Sequence, residues 1–172
     1  MNVRNVEASN LARLKVGTVL ECATAAEWEQ WLAANHGVAT EVWLRLARKG
    51  ASHVTVTRAA ALEAALCYGW IDGQASSENE EFWLQRFTPR TARSKWSKIN
   101  REAVEGLLAS GKMKPAGVAA VDAAKADGRW DAAYASPGEM TVPDDLVRKL
   151  QEHPKAESFF ARLNAQNRYA IL

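Results

Sequence analysis

Apolar side chains alternate at a period of two only before residue 90 of this chain; beyond it they recur at helical spacing. This segregation constrains the fold more than any other feature. Strand and helix patterns cannot exchange roles without exposing what each has to bury. The stretch "EVWLRLARKG" sets Val42, Leu44 and Leu46 on one side and Trp43, Arg45 and Ala47 on the other. That is a half-buried strand closed by Lys49-Gly50. "GTVLECA" is a shorter strand candidate. "IDGQASSENEEFWLQRFTPR" reads as two strands, roughly 70–76 and 81–88, joined by a polar loop. Phe82 and Leu84 then face one way, Trp83 and Phe87 the other.

Two helices interleave these strands. "TAAEWEQWLAANHG" carries a Thr24/Glu27 capping box and a Trp28, Trp31, Leu32 stripe. "VTRAAALEAALCYGW" is capped by Thr57 and runs out at Gly69. After residue 90 the pattern is helical throughout. "SKINREAVEGLLASG" stops at Gly111, "PAGVAAVDAAKADG" starts on Pro115, and "DDLVRKLQEH" and "PKAESFFARLN" follow Pro143 and take in Pro154. Strands grouped early and helices late predict an α+β fold. Its small antiparallel sheet comes from the N-terminal half and packs with helices; the C-terminal half is all helical. Residues 1–16 read as a flexible N-terminal arm. Residues 17–172 read as a single domain, mixed over 17–95 and helical over 96–172.

With 48% hydrophobic residues in 172, the chain can bury a real core. Net charge is +2 and 24% of residues are charged, so any polyanion binding has to rest on local charge. Arg4, Glu7, Arg13 and Lys15 interrupt any signal-peptide run, and no 18-residue apolar stretch follows. A cytoplasmic protein without membrane insertion is therefore expected. Two unrelated cysteines and three scattered histidines predict neither a disulfide framework nor a metal site. No cofactor is expected. Seven tryptophans imply either a core built on indoles or an aromatic-lined pocket.

Two stretches concentrate the chemistry. In "CYGWIDGQ", Cys67 sits at a helix C-terminus, where the dipole disfavours a thiolate, so it reads as a core residue. Asp72 either caps its own turn through backbone amides or faces a ligand beside Tyr68 and Trp70. The second stretch, "QRFTPRTARSKWSKINR", holds Arg86, Arg90, Arg93, Lys95, Lys98 and Arg101 with no acid. Phe87 and Trp96 interleave these cations, a pattern suited to an anionic ligand or to single-stranded nucleic acid. Entry into a helix at "SKWSKIN" adds free backbone amides.

In order along the chain, "EVWLRLARKG", "EAALCYGWIDGQ", "WLQRFTPRTARSKWSKIN", "GKMKPAG", "AKADGRWDAAY" and "FFARLNAQNRYAIL" resemble the bacteriocin-protection, OmpD-associated (YdeI/OmdA-like) family of bacterial proteins. The resemblance spans residues 18–172 and is most specific from Cys67 to Asn100. It implies association with an outer-membrane porin and protection against bacteriocins or cationic peptides, with no assigned reaction. It also implies a YjbR-like, frataxin-like α+β fold and a further basic helical tail beyond "RYAIL".

The expected function is a non-enzymatic module binding a small anionic ligand or a protein partner. Its groove would be lined by Tyr68, Trp70, Asp72, Gln74, Arg86, Arg90, Ser94, Trp96 and Asn100. Two alternatives stand beside it. One is a single-stranded nucleic-acid binder; the other is an enzyme using Asp72 as acid or base with Arg86 or Arg90 stabilising an anion.

Overall fold

The computed structural model describes residues 4–5, 17–135 and 141–172. Strands β1 (Arg4–Asn5), β2 (Val19–Glu21), β3 (Val42–Ala47), β4 (Trp70–Ser77) and β5 (Phe82–Pro89) form one sheet in the order β1-β2-β3-β5-β4. Helices α1 (Ala25–Asn35) and α2 (Arg58–Cys67) interrupt the strands. Helices α3 (Lys98–Ala109), α4 (Pro115–Ala126), α5 (Asp144–Gln151), α6 (Pro154–Arg162) and α7 (Ala165–Tyr169) follow them. The fold is α+β, with its sheet in the N-terminal half. One pair departs from antiparallel order: β2 runs parallel to β3, because α1 connects them as a crossover. Arg4 and Asn5 pair antiparallel with β2, so this part of the expected arm belongs to the sheet. Residues 1–3 and 6–16 of that arm lie outside the described residues.

Local chemistry explains the element ends. Thr24 accepts from the Glu27 amide at 3.2 Å, and Glu27 reaches back to the Ala23 amide at 2.8 Å. Thr57 and Ser97 cap α2 and α3 in the same way. Helix α2 ends where Gly69 takes φ 74, a left-handed conformation that turns the chain straight into β4.

Helices α1 and α2 cover one sheet face. Trp28 and Leu32 of α1 and Ala61, Ala65 and Leu66 of α2 join Val42, Leu44, Leu46, Trp70 and Phe87 in the main core. Trp96, Val104, Leu107, Val121 and Trp130 belong to the same cluster, so the helical half shares this core. The far face carries a smaller cluster of Val19, Trp43 and Leu84. The seven indoles therefore build the core. Five are buried, and Trp31 and Trp83 pack against it half-buried. Trp28 stacks on Trp31 with centroids 5.3 Å apart, and Trp96 meets Trp130 edge-on at 4.9 Å.

Two contacts place the elements that matter later. The β4–β5 hairpin carries a bulge between Asp72 and Ala75. The buried Gln85 amide fills it, donating to the Gly73 and Gln74 carbonyls at 2.9 and 3.2 Å. Helix α4 docks its N-terminus on the end of α2, where the Lys114 amide donates to the Cys67 carbonyl at 3.0 Å. A Cβ on Gly117 would lie 2.2 Å from that carbonyl oxygen. "GKMKPAG" is thus a helix junction whose second glycine permits close approach.

Candidate functional site

The two chemistry-bearing stretches do meet, at the end of the hairpin. The Arg90 amide donates to the Gly69 carbonyl at 2.8 Å, closing β5 against the start of β4. The basic loop that follows is stitched down from the far side of the sequence. Arg129 donates to the Thr91 and Ser94 carbonyls at 3.2 and 3.0 Å, and Asp127 holds its Nε at 2.8 and 2.9 Å. Tyr134 bridges this loop to α3: its amide donates to the Trp96 carbonyl and its carbonyl accepts from Lys98.

These contacts shape a groove of about 730 Å³ along the open edge of the sheet. Ile71, Asp72 and Gly73 of β4, Thr88 of β5, and Ser94, Lys95 and Tyr134 from the chain beyond line it. Gln166 and Tyr169 of α7 close the end.

Arg90 does not itself line the groove but is tied to it through Lys95. Its guanidinium carbon sits 3.5 Å from the centroid of the Trp96 ring, the separation of two flat groups in contact. Nη1 donates to the Lys95 carbonyl at 3.2 Å, while the covered Nε and Nη2 have no hydrogen-bond partner among the described residues. Burial pushes the Arg90 pKa down to about 10; Tyr134 and Asp72 pull it back, and Arg129 adds to the fall. Among the described residues no carboxylate forms an ion pair with it. Arg90 as a whole is half-buried, but covering two of its donors without a counter-ion is costly, so the arrangement suits an anion arriving from outside the chain.

Asp72 does not cap its own turn. It pairs with Arg58 in the first turn of α2, where a cation opposes the helix dipole and gains from a carboxylate. Asp72 also lines the groove, so one carboxylate serves both the helix start and the groove wall.

The nine residues expected to line one groove separate into groups. Asp72 and Ser94 line it, while Arg90 and Trp96 stack on each other without lining it. Tyr68 and Trp70 belong to the core instead: Tyr68 packs on His36, and the Trp70 Nε1 donates to the His36 carbonyl at 3.2 Å. Gln74 is an exposed bulge residue. Arg86 pairs with Glu41 at 2.5 Å, on the opposite sheet face from Phe87. Asn100 lines a different depression, between α2 and α3. Sequence reasoning missed Thr88 and Lys95 as groove residues, although both lay in or beside the basic stretch. It had no signal for Tyr134, Gln166 and Tyr169, whose approach is long-range.

Phe87 and Trp96 are buried, so the basic-aromatic interleaving leaves exposed cations at Arg93, Lys95 and Lys98 but no stacking platform. Among the described residues no group of three His, Cys, Asp or Glu side chains could hold a metal ion. No helix among them is long and apolar enough to cross a membrane.

Comparison with known families divides the chain. Residues 139–172 match the family described as Bacteriocin-protection, YdeI or OmpD-Associated. The resemblance expected over 18–172 is therefore carried by this segment, and the stretch from Cys67 to Asn100 falls within a different match. The grouping with YjbR-like or frataxin-like folds finds no support in these matches. No curated protein and no solved structure matches the chain. The groove draws on both matched segments, with Gln166 and Tyr169 from the shorter one. Matched over residues 20–120, well over half its length, the chain belongs to the family described as a domain of unknown function, DUF8412.

Proposed function

We propose that the protein is a binding module that takes a small anionic ligand in the groove at the β4 edge. One observation carries this reading: the half-buried Arg90, stacked on Trp96, has its covered Nε and Nη2 donors unpartnered among the described residues. Lys95 adds a second positive charge at the wall, and Thr88, Ser94, Tyr134, Gln166 and Tyr169 supply neutral hydrogen-bonding groups. Asp72 is engaged by Arg58, so it enters as a wall of fixed charge rather than as a free base. This favours binding over acid–base catalysis.

The bacteriocin-protection and OmpD-association reading comes to this chain through residues 139–172 alone. On our reading such protection would be a consequence of ligand binding by a cytoplasmic protein. Single-stranded nucleic acid is the weaker alternative, since its stacking half has gone into the core.

The test compares small molecules released by denaturation from natively purified wild-type protein, Arg90→Gln, and the control Arg86→Gln, using mass spectrometry. An anion present with the wild type and Arg86→Gln but absent from Arg90→Gln is the expected result. Identical extracts from all three, or none from any, contradict the reading.

A further inference from the structure

We infer that the ligand engages Arg90 through a carboxylate, bound two-pronged in the plane of the guanidinium; this rests on the anion-groove reading above. In an arginine side chain the Nε and Nη2 hydrogens point the same way, side by side, and form the fork that matches a two-oxygen anion. These are the two atoms left unpartnered in Arg90, while Nη1 is tied to the Lys95 carbonyl. The hydrogen bond through Nη1 and the flat contact with Trp96 fix the orientation of the fork.

Shape and charge then favour a carboxylate over a phosphate. With one guanidinium face against the indole at 3.5 Å, a planar anion continues the flat arrangement. A tetrahedral anion places oxygens above and below that plane, towards the ring system. The groove also carries the Asp72 carboxylate, which repels a dianion more strongly than a monoanion. Ile71, Tyr134 and Tyr169 give the remaining wall an apolar and aromatic character, suited to a small carboxylate with a flat apolar body. Nε and Nη2 are covered by the protein, so binding includes a side-chain movement that opens them to the groove, for which Tyr134, 46% exposed, a groove residue and an electrostatic neighbour of Arg90, is the candidate.

The experiment follows the Arg90 Nε–H signal in ¹⁵N-labelled wild-type protein during titration with three probes at constant ionic strength. They are benzoate, its neutral analogue benzamide, and inorganic phosphate. Benzoate is expected to shift the signal to saturation while benzamide and phosphate leave it in place. Arg90→Lys, which keeps the charge but loses the fork, is expected to weaken benzoate roughly tenfold or more. Phosphate binding without benzoate binding overturns the carboxylate assignment while leaving the anion groove standing. No response to either anion overturns both readings. Equal affinity of Arg90→Lys for benzoate removes the fork. The wild-type arms decide the question even where the variant fails to fold.

Discussion

A thiol becomes a nucleophile only as its thiolate, and both thiols of this chain are held the other way. Burial pushes Cys22 up to about 12, with Glu27 and Glu21 adding to it. Burial also raises Cys67, reinforced by Glu29 and Glu63 and opposed by Lys114 and Lys112. Neither cysteine is expected to react with Ellman's reagent at pH 8 in the folded protein, and both should react in denaturant. Fast reaction of one thiol in the native state would contradict their placement. The sign of the pH effect follows. The unfolded Cys22 thiol ionises near the ordinary cysteine value of 9.0 while the folded one stays protonated. This contribution to stability is present below pH 9 and is lost as pH rises towards 12. The sequence marked Cys67 as a core residue from its place at a helix end. It could not make the same distinction for Trp70, because an indole beside polar residues reads alike whether it lines a pocket or fills a core.

The helices and strands were legible because each carries its own signals: threonine caps, glycine stops, and an apolar period of two or of 3.6. The parallel β2–β3 pair was not legible, since pairing direction depends on how α1 folds back. The bulge was hidden for a similar reason: Gln85 reads as an ordinary strand residue until its amide is seen filling the gap at Gly73 and Gln74. Gly117 is another case, a glycine in a helix interior that ordinarily lowers helix propensity. Here it lets α4 approach the Cys67 carbonyl, where a Cβ would lie at 2.2 Å. The clash is with backbone, so the helices must move apart. Gly117→Ala is expected to cost about 3 kcal/mol or more in equilibrium unfolding, at the upper end for single substitutions. A loss under about 1 kcal/mol would show that the junction yields easily.

The groove exists only at the scale of the whole molecule. Its β4 and β5 residues come from the matched domain of unknown function, Tyr134 lies between the two matches, and α7 comes from the bacteriocin-protection match. Arg90 and Asp72 were visible in advance because charge beside glycine and aromatic residues stands out locally. Their partners were not, because Arg58, Tyr134 and Tyr169 approach from other parts of the chain. The central claim is that Arg90 is retained for a ligand at the expense of global stability. The lowering of its pKa to about 10, with desolvation the largest cause, corresponds to a net cost of the charge of a few kcal/mol, on the order of 3. The stacking on Trp96 returns roughly 0.5–2 kcal/mol of it. The decisive measurement is equilibrium unfolding of Arg90→Met without ligand, a change that keeps an unbranched side chain of similar reach and removes the charge. A gain of about 1–2 kcal/mol over wild type is expected. A loss of more than about 1 kcal/mol would show that the fold itself uses the charge, and would contradict the account.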